Sequence, residues 1–277
     1  MFYYPGFYDS FAIIFYSIMC IVIHAVIQEY ILDRICKKSS LTRTRLCRFN
    51  YSAHLAIFFG VSIYYLLYLI ISEGVISSFS DLWVGYPHVP ISFWTKGYFI
   101  LQLSYWFHNF PEIYFQKVKR EDMSPRIIQS SIYMIIIWAS YFLSFTKLSI
   151  VVSLLQYTGD FVFYTGHAYH LANKENISQI FMKVYDIIFF PIRLVITIII
   201  SLIFQYGLVK ESASTIDFEN RNFNTFLVRM NSFVIIVGIQ IFLSWNFIKF
   251  HLKNRREKAI YSSSSNKSTE QMKKKKK

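Results

Sequence analysis

Apolar residues in this chain collect into seven long blocks, 11–32, 52–72, 97–116, 127–144, 148–170, 184–208 and 226–248. A helix needs about 20 mostly apolar residues to cross the hydrocarbon core of a bilayer. Open strands there would leave backbone groups unpaired, so helices are the reading that physics allows. The pattern predicts an all-α, polytopic membrane protein with about seven transmembrane helices. Between the blocks the basic residues alternate: 23 of the 29 Lys and Arg lie in 33–50, 117–126, 171–183 and 249–277. Lys96, Lys147, Lys210 and Arg221 occupy the other connections, and Arg193 and Arg229 sit inside apolar stretches. Lys/Arg-rich connections stay cytoplasmic. An odd number of spans then predicts a cytosolic C-terminus and a lumenal or external N-terminus.

Composition agrees with this. Hydrophobic residues make up 54% of the chain and charged ones 16%, against roughly 25% charge in soluble domains. The formal charge of +13 is first a record of topology and only then a clue to partners. Cys20, Cys36 and Cys47 are an odd set, one in a span and two on the basic side, which predicts neither a disulfide framework nor a metal cluster. The domain reading is a short lumenal N-terminus at 1–10, a membrane domain at 11–250 and a basic, Ser/Lys-rich tail at 251–277 that is expected to be disordered. No cleavable signal peptide is expected, because Met1 to Asp9 lack a basic stretch.

The connections differ in kind. Arg34, Lys37, Lys38, Arg43, Arg45 and Arg48 make a strongly basic cytosolic loop. Residues 117–126 form a mixed-charge turn in which Pro125 suits the opening of the next helix. Residues 73–96, with Trp83, Tyr86 and Trp94, read as an interfacial stretch whose rings rest at headgroup level. Sequons at Asn50, Asn176 and Asn266 all fall on the cytosolic side and are expected to carry no glycan.

Polar residues inside the apolar blocks call for a reason, since a charge at mid-helix costs about 2.5–3.5 kcal/mol to insert. His24, Gln28 and Glu29 cluster at the cytosolic end of the first span, and His24 and Gln28 share a face by i, i+4 spacing. His108 and Glu112 repeat that spacing around Pro111, which predicts a kink with a His–Glu contact. Asp160, Asp186 and Arg193 read as inter-helix pairing of an acid with Arg193, and Arg229 as a snorkelling side chain. The rival reading of His24, Gln28, Glu29, His108, Glu112, Asp160 and Arg193 is a functional intramembrane polar face.

Four stretches carry a family resemblance: Ile23-His24-Ala25-Val26-Ile27-Gln28-Glu29-Tyr30, Phe110-Pro111-Glu112-Ile113-Tyr114-Phe115-Gln116-Lys117, Phe223 to Arg229, and Trp245-Asn246-Phe247-Ile248-Lys249-Phe250. In this order and spacing the chain resembles the translocating chain-associated membrane proteins (TRAM), from about residue 10 to 258. The resemblance implies a TRAM–Lag–CLN (TLC) bundle, with its homology region at about 52–248, in the endoplasmic reticulum membrane. It also implies a non-enzymatic accessory beside the Sec61 channel that helps nascent chains enter or integrate. Members of the family usually have one further span ahead of the one near Phe11, and a glycosylated lumenal loop.

The ceramide synthases share the fold and carry paired histidines after a basic, acid-tipped turn. Counting from Lys119-Arg120-Glu121-Asp122 places Gln129 and Ser130 there instead. Acyl transfer needs a base, which neither supplies, so no catalytic residue, cofactor or metal is expected. The alternatives left open are a lipid-binding or lipid-regulating protein of this fold and a divergent sphingolipid acyltransferase.

Expected partners are Sec61, nascent signal sequences and transmembrane segments, and membrane lipids, with the ribosome open and DNA not expected. Each Lys or Arg near an anionic leaflet is worth about 1 kcal/mol. The basic contacts Arg34, Lys37, Lys38, Arg43, Arg45, Arg48, Lys253, Arg255 and Arg256 therefore suit headgroups or ribosomal RNA. Lys274 and Lys275 have the spacing of a dilysine retrieval signal.

Overall fold

In a computed structural model, a helix stands at each of the seven expected positions. The structure describes residues 2–34, 41–75, 78–88, 90–116 and 118–275, with side chains excepted at 2, 250 and 253–275. Helix α1 (Asp9–Ile27) runs into a π-helical turn, Gln28–Leu32. It is followed by α2 (Arg43–Ser72), α3 (Phe93–Phe115), α4 (Arg120–Phe142), α5 (Thr146–Leu171), α6 (Glu175–Leu202) and α7 (Phe226–Lys275). A two-stranded antiparallel ladder, β1 (Phe2–Tyr3) with β2 (Ile91–Ser92), ties the first residues to the start of α3. The tail expected to be disordered falls on the last part of α7, where side chains lie outside the described residues.

Four segments are long and apolar enough to cross a membrane: Asp9–Leu32, Arg43–Ser72, Glu175–Lys210 and Phe226–Lys249. Helices α3, α4 and α5 fall outside that set, which corrects the reading of seven uniformly greasy spans. The physical reason is composition. Helix α3 carries Gln102, His108, Asn109 and Glu112, α4 opens on Arg120-Glu121-Asp122, and α5 carries Gln156, Asp160, His167 and His170. These are the helices that bring polar side chains to the interior.

Residues 1–229 form one compact unit and residues 230–277 another. Within the first, α1 packs on α3 and α3 on α4, while α2 packs on α5 and α5 on α6. An aromatic core joins the two sets. The rings of Trp106 and Tyr133 stack at 4.3 Å, and those of Phe58 and Tyr105 at 3.4 Å. Phe59 reaches Tyr157 at 5.0 Å and Tyr164 at 5.8 Å. Trp106, Phe59 and Tyr157 are at most 1% exposed, and such ring pairs add about 0.5–1.5 kcal/mol each beyond the area they bury. In the second unit, Lys249 lies 5.2 Å from the Trp245 ring, one turn along the helix.

The connection at 73–96 departs from its interfacial reading. Tyr86 turns inward, 6% exposed, and its hydroxyl donates to the Leu143 carbonyl at 2.6 Å. Trp83 lies so close to Gly207 that a Cβ there would stand 2.4 Å from the ring, so only glycine fits that turn. Trp94 remains half exposed. Pro125 likewise does not open α4, which starts at Arg120 and carries the proline inside. At α3 the opening is made by Ser92, whose hydroxyl accepts from the Thr95 N–H at 3.0 Å, satisfying one of the free donors of the first turn.

The start of α1 is held by a full set of partners. Asp9 accepts from Lys96 Nζ at 2.7 Å, from the Tyr141 hydroxyl at 2.7 Å and from the Gly6 N–H at 2.8 Å. Lys96, counted among the cations on the minority side, is thus spent on joining α1, α3 and α4.

Candidate functional site

The intramembrane polar residues separate into two buried clusters instead of one face. The first forms where α1 meets α3. Because α3 places His108 and Glu112 one turn apart, both reach the same side, and α1 brings His24 against them. His24 Nε2 lies 2.7 Å from Glu112 Oε1, and His108 Nε2 lies 3.2 Å from Glu112 Oε2. The His–Glu contact expected around Pro111 is present, with His24 added to it. His108 is 1% exposed, and its Nδ1 donates to the Tyr105 carbonyl. Gln116 Nε2 donates to Glu112, and Arg126 stands behind Gln116 with its guanidinium 3.9 Å from the Tyr51 ring. His54, from α2, stacks flat on His24 with ring centroids 3.4 Å apart.

Gln28 and Glu29 lie on the π-helical turn that follows, with Glu29 exposed. They were grouped with His24 from spacing along an ideal helix, and the wider π turn changes the angular position of what comes after Ile27.

The second cluster joins α4, α5 and α6. The Tyr133 hydroxyl donates to the Asp160 carboxylate, and Gln156 Nε2 donates to it at 2.8 Å. Arg193 donates to Gln156 Oε1. The expected pairing of Asp160 with Arg193 therefore runs through a bridging amide. Asp186 is exposed. Arg229 is 6% exposed and donates to Asn224 Oδ1 at 3.4 Å, so it does not snorkel outward.

Gln129 and Ser130 are built into the packing. Gln129 Oε1 accepts from the hydroxyls of Tyr51 at 3.1 Å and Tyr164 at 2.8 Å. Ser130 is fully buried and accepts from Asn109 Nδ2 at 3.2 Å. No residue among these is a base that could take a proton from an amine or thiol. The basic loop is also partly committed. Arg45 donates to the carbonyls of Leu171 and His170, each at 2.9 Å, capping the end of α5 where the helix dipole favours a cation. Arg48 makes a two-pronged pair with Asp122, both contacts at 3.0 Å. Arg34 and Arg43 are exposed. Lys37 and Lys38, and the side chains of Lys253, Arg255, Arg256, Lys274 and Lys275, lie outside the described residues.

Sequence reasoning missed His54, Tyr105, Tyr133 and Gln156. His54 is separated from His24 by a connection and a helix, and its ring is 5% exposed, a burial that no local pattern signals. Gln156 and Asp160 do stand at i, i+4 spacing, a signal that was available.

Comparison with known proteins follows the same lines. The TLC domain family profile matches residues 48–249. The chain is 34% identical over 255 residues to the human translocating chain-associated membrane protein 2, covering 92% of this chain and 68% of that one. The mouse protein of the same name matches over the same shares. Bovine ceramide synthase 4 is 24% identical over 114 residues, 41% of this chain.

Proposed function

We propose, for a chain that belongs to the TLC-domain family and within it to the translocating chain-associated membrane proteins, a non-enzymatic role in protein translocation and membrane insertion at the endoplasmic reticulum. The observation that carries this reading is the extent of the match. Identity of 34% runs over 92% of the chain to a protein named for association with translocating chains. The ceramide synthase likeness covers 41%, and Gln129 and Ser130 stand where that enzyme would need its base.

In this reading seven helices cross the bilayer, with the N-terminus lumenal and the basic connections cytosolic. The bundle sits beside the Sec61 channel. Helix α1 offers a broad apolar face, with Phe11, Phe15, Ile18 and Val22 each more than half exposed. The His24–Glu112 pair lies just behind that face. A weakly hydrophobic segment leaving the channel packs against α1 and finds polar groups within reach, which lowers the penalty of its own charge. The exposed Arg34 and Arg43 face anionic headgroups or the ribosome.

Crosslinking of stalled nascent chains in native microsomes tests the assignment. A photoreactive residue at Ile18 or Val22 is expected to capture signal sequences and transmembrane segments. Failure to capture any, with the protein intact in the membrane, overturns it. Orientation is tested separately: protease added to sealed vesicles should trim the C-terminal lysines and spare the connection at 73–96. The ceramide synthase likeness favours one second reading, sphingoid-base acylation. Product formed from sphingoid base and acyl-CoA by the purified protein would establish it.

A further inference from the structure

The polar cluster between α1 and α3 has a chemistry that a passive helix contact does not call for. We propose that His24, His108 and Glu112 form a binding site for a divalent transition-metal cation, zinc by the nature of its donors. The three ligand atoms, two imidazole nitrogens and one carboxylate oxygen, all lie within 4.8 Å of one another. Around a tetrahedral zinc, with Zn–N and Zn–O near 2.0–2.1 Å, ligand atoms stand about 3.3 Å apart. The observed 2.7 Å and 3.2 Å from Glu112 to the two imidazoles are within a small side-chain adjustment of that.

Three further features support a cation over a simple contact. His108 Nδ1 faces the Tyr105 carbonyl, an acceptor only, so Nδ1 carries a proton. A neutral His108 then turns the lone pair of Nε2 toward the carboxylate of Glu112, an arrangement that repels unless something positive lies between. Binding of the far ring N–H by a backbone carbonyl is the outer-shell support that metal-bound histidines ordinarily have. Glu112 in turn receives Gln116 Nε2, which orients the carboxylate. His24 is held in place by the flat stack of His54. The His108-x-x-x-Glu112 spacing sets two ligands on one helix face, and α1 supplies the third. Imidazole with carboxylate suits zinc among the first-row ions, and three protein ligands leave a fourth position open to water.

The alternative is a proton in the same place: an imidazolium at His108 paired with the Glu112 carboxylate, and no metal. Full-length protein in lipid nanodiscs, stripped with chelator and shown to be monodisperse and helical, separates the two. Titration with Co(II) is expected to give the ligand-field absorption of a tetrahedral site at one ion per chain, bleached by an equivalent of Zn(II). The variants H24Q and E112Q should each weaken Co(II) binding by at least tenfold, while H170Q, remote from the cluster, leaves it unchanged. A folded wild-type protein that takes up no Co(II) overturns the proposal. So does binding that survives both H24Q and E112Q. If a variant fails to fold, the wild-type titration and its zinc displacement still decide.

Discussion

The two buried polar clusters meet the same cost in opposite ways. In the Asp160 cluster every strong group is answered: the carboxylate receives Tyr133 and Gln156, and the positive charge of Arg193 arrives through the far end of Gln156. A complete circuit of this kind is what lets a charge persist inside a membrane protein. In the His24 cluster three groups converge on each other with nitrogen lone pairs facing a carboxylate. The first has the form of a fastener between α4, α5 and α6. The second has the form of a receptacle, and the two should respond differently to the same kinds of damage.

The largest difference is expected on breaking the fastener. Replacing Asp160 with Ala leaves Arg193 buried without its counter-charge, which should cost about 3–5 kcal/mol. Reversible unfolding in mixed micelles reads this, and D160A together with R193M should recover part of the loss. If D160A costs less than about 1 kcal/mol, on the scale of ordinary surface substitutions, the circuit is not structural and the contrast collapses.

The receptacle should show its character through its ligand. At a free Zn(II) concentration of a hundred times the dissociation constant, a site present only in the folded state adds about 2.7 kcal/mol of stability. The wild type is expected to gain that amount in thermal unfolding followed by circular dichroism. The double variant H24Q/E112Q should gain none, and D160A should keep the gain in full if the clusters are independent. A smaller cut into the fastener comes from Tyr133→Phe. It removes a hydroxyl that donates to the Asp160 carboxylate, and hydrogen bonds to charged groups are worth about 1.5–3 kcal/mol. It should leave the response to zinc untouched.

Much of this architecture was legible beforehand, for identifiable reasons. Helix positions follow from block length, so each of the seven segments carries a helix. The partnership of His108 with Glu112 follows from one turn of spacing and appears as expected. What the linear pattern could not carry was the turning of side chains toward other helices. His54 on His24, Gln156 between Asp160 and Arg193, and the inward Arg229 all depend on how helices distant in sequence are set against each other. The π-helical turn at Gln28–Leu32 took Gln28 and Glu29 away from His24, because face arithmetic assumes an ideal α-helix. Tyr86 was read as interfacial from its residue type, while its hydroxyl answers Leu143, the cap of α4.

The finest test uses a histidine outside the membrane as a reference for those inside. His88 sits in the connection before α3, in a cavity lined also by Glu73, Thr95 and Lys147. Burial pushes it down from its ordinary 6.5 to about 4, with Lys147 lowering it further and the Leu82 carbonyl opposing. The folded state therefore disfavours the charged ring. Above 6.5 the ring is neutral whether folded or not, and nothing is lost. As pH falls from 6.5 toward 4 the unfolded chain binds a proton that the folded one refuses, so stability declines by at most about 1.4 kcal/mol per pH unit. With the ring only partly enclosed, the loss at pH 5.5 should be about 1 kcal/mol. H88Q should flatten the profile over that interval. In the wild type, the zinc-dependent gain should also shrink on acidification, because protons compete for imidazole ligands. That second slope belongs to His24 and His108, so it should persist in H88Q and vanish in H24Q/E112Q. A profile in which H88Q removes both slopes would place the acid sensitivity in the connection alone and erase the distinction between receptacle and fastener.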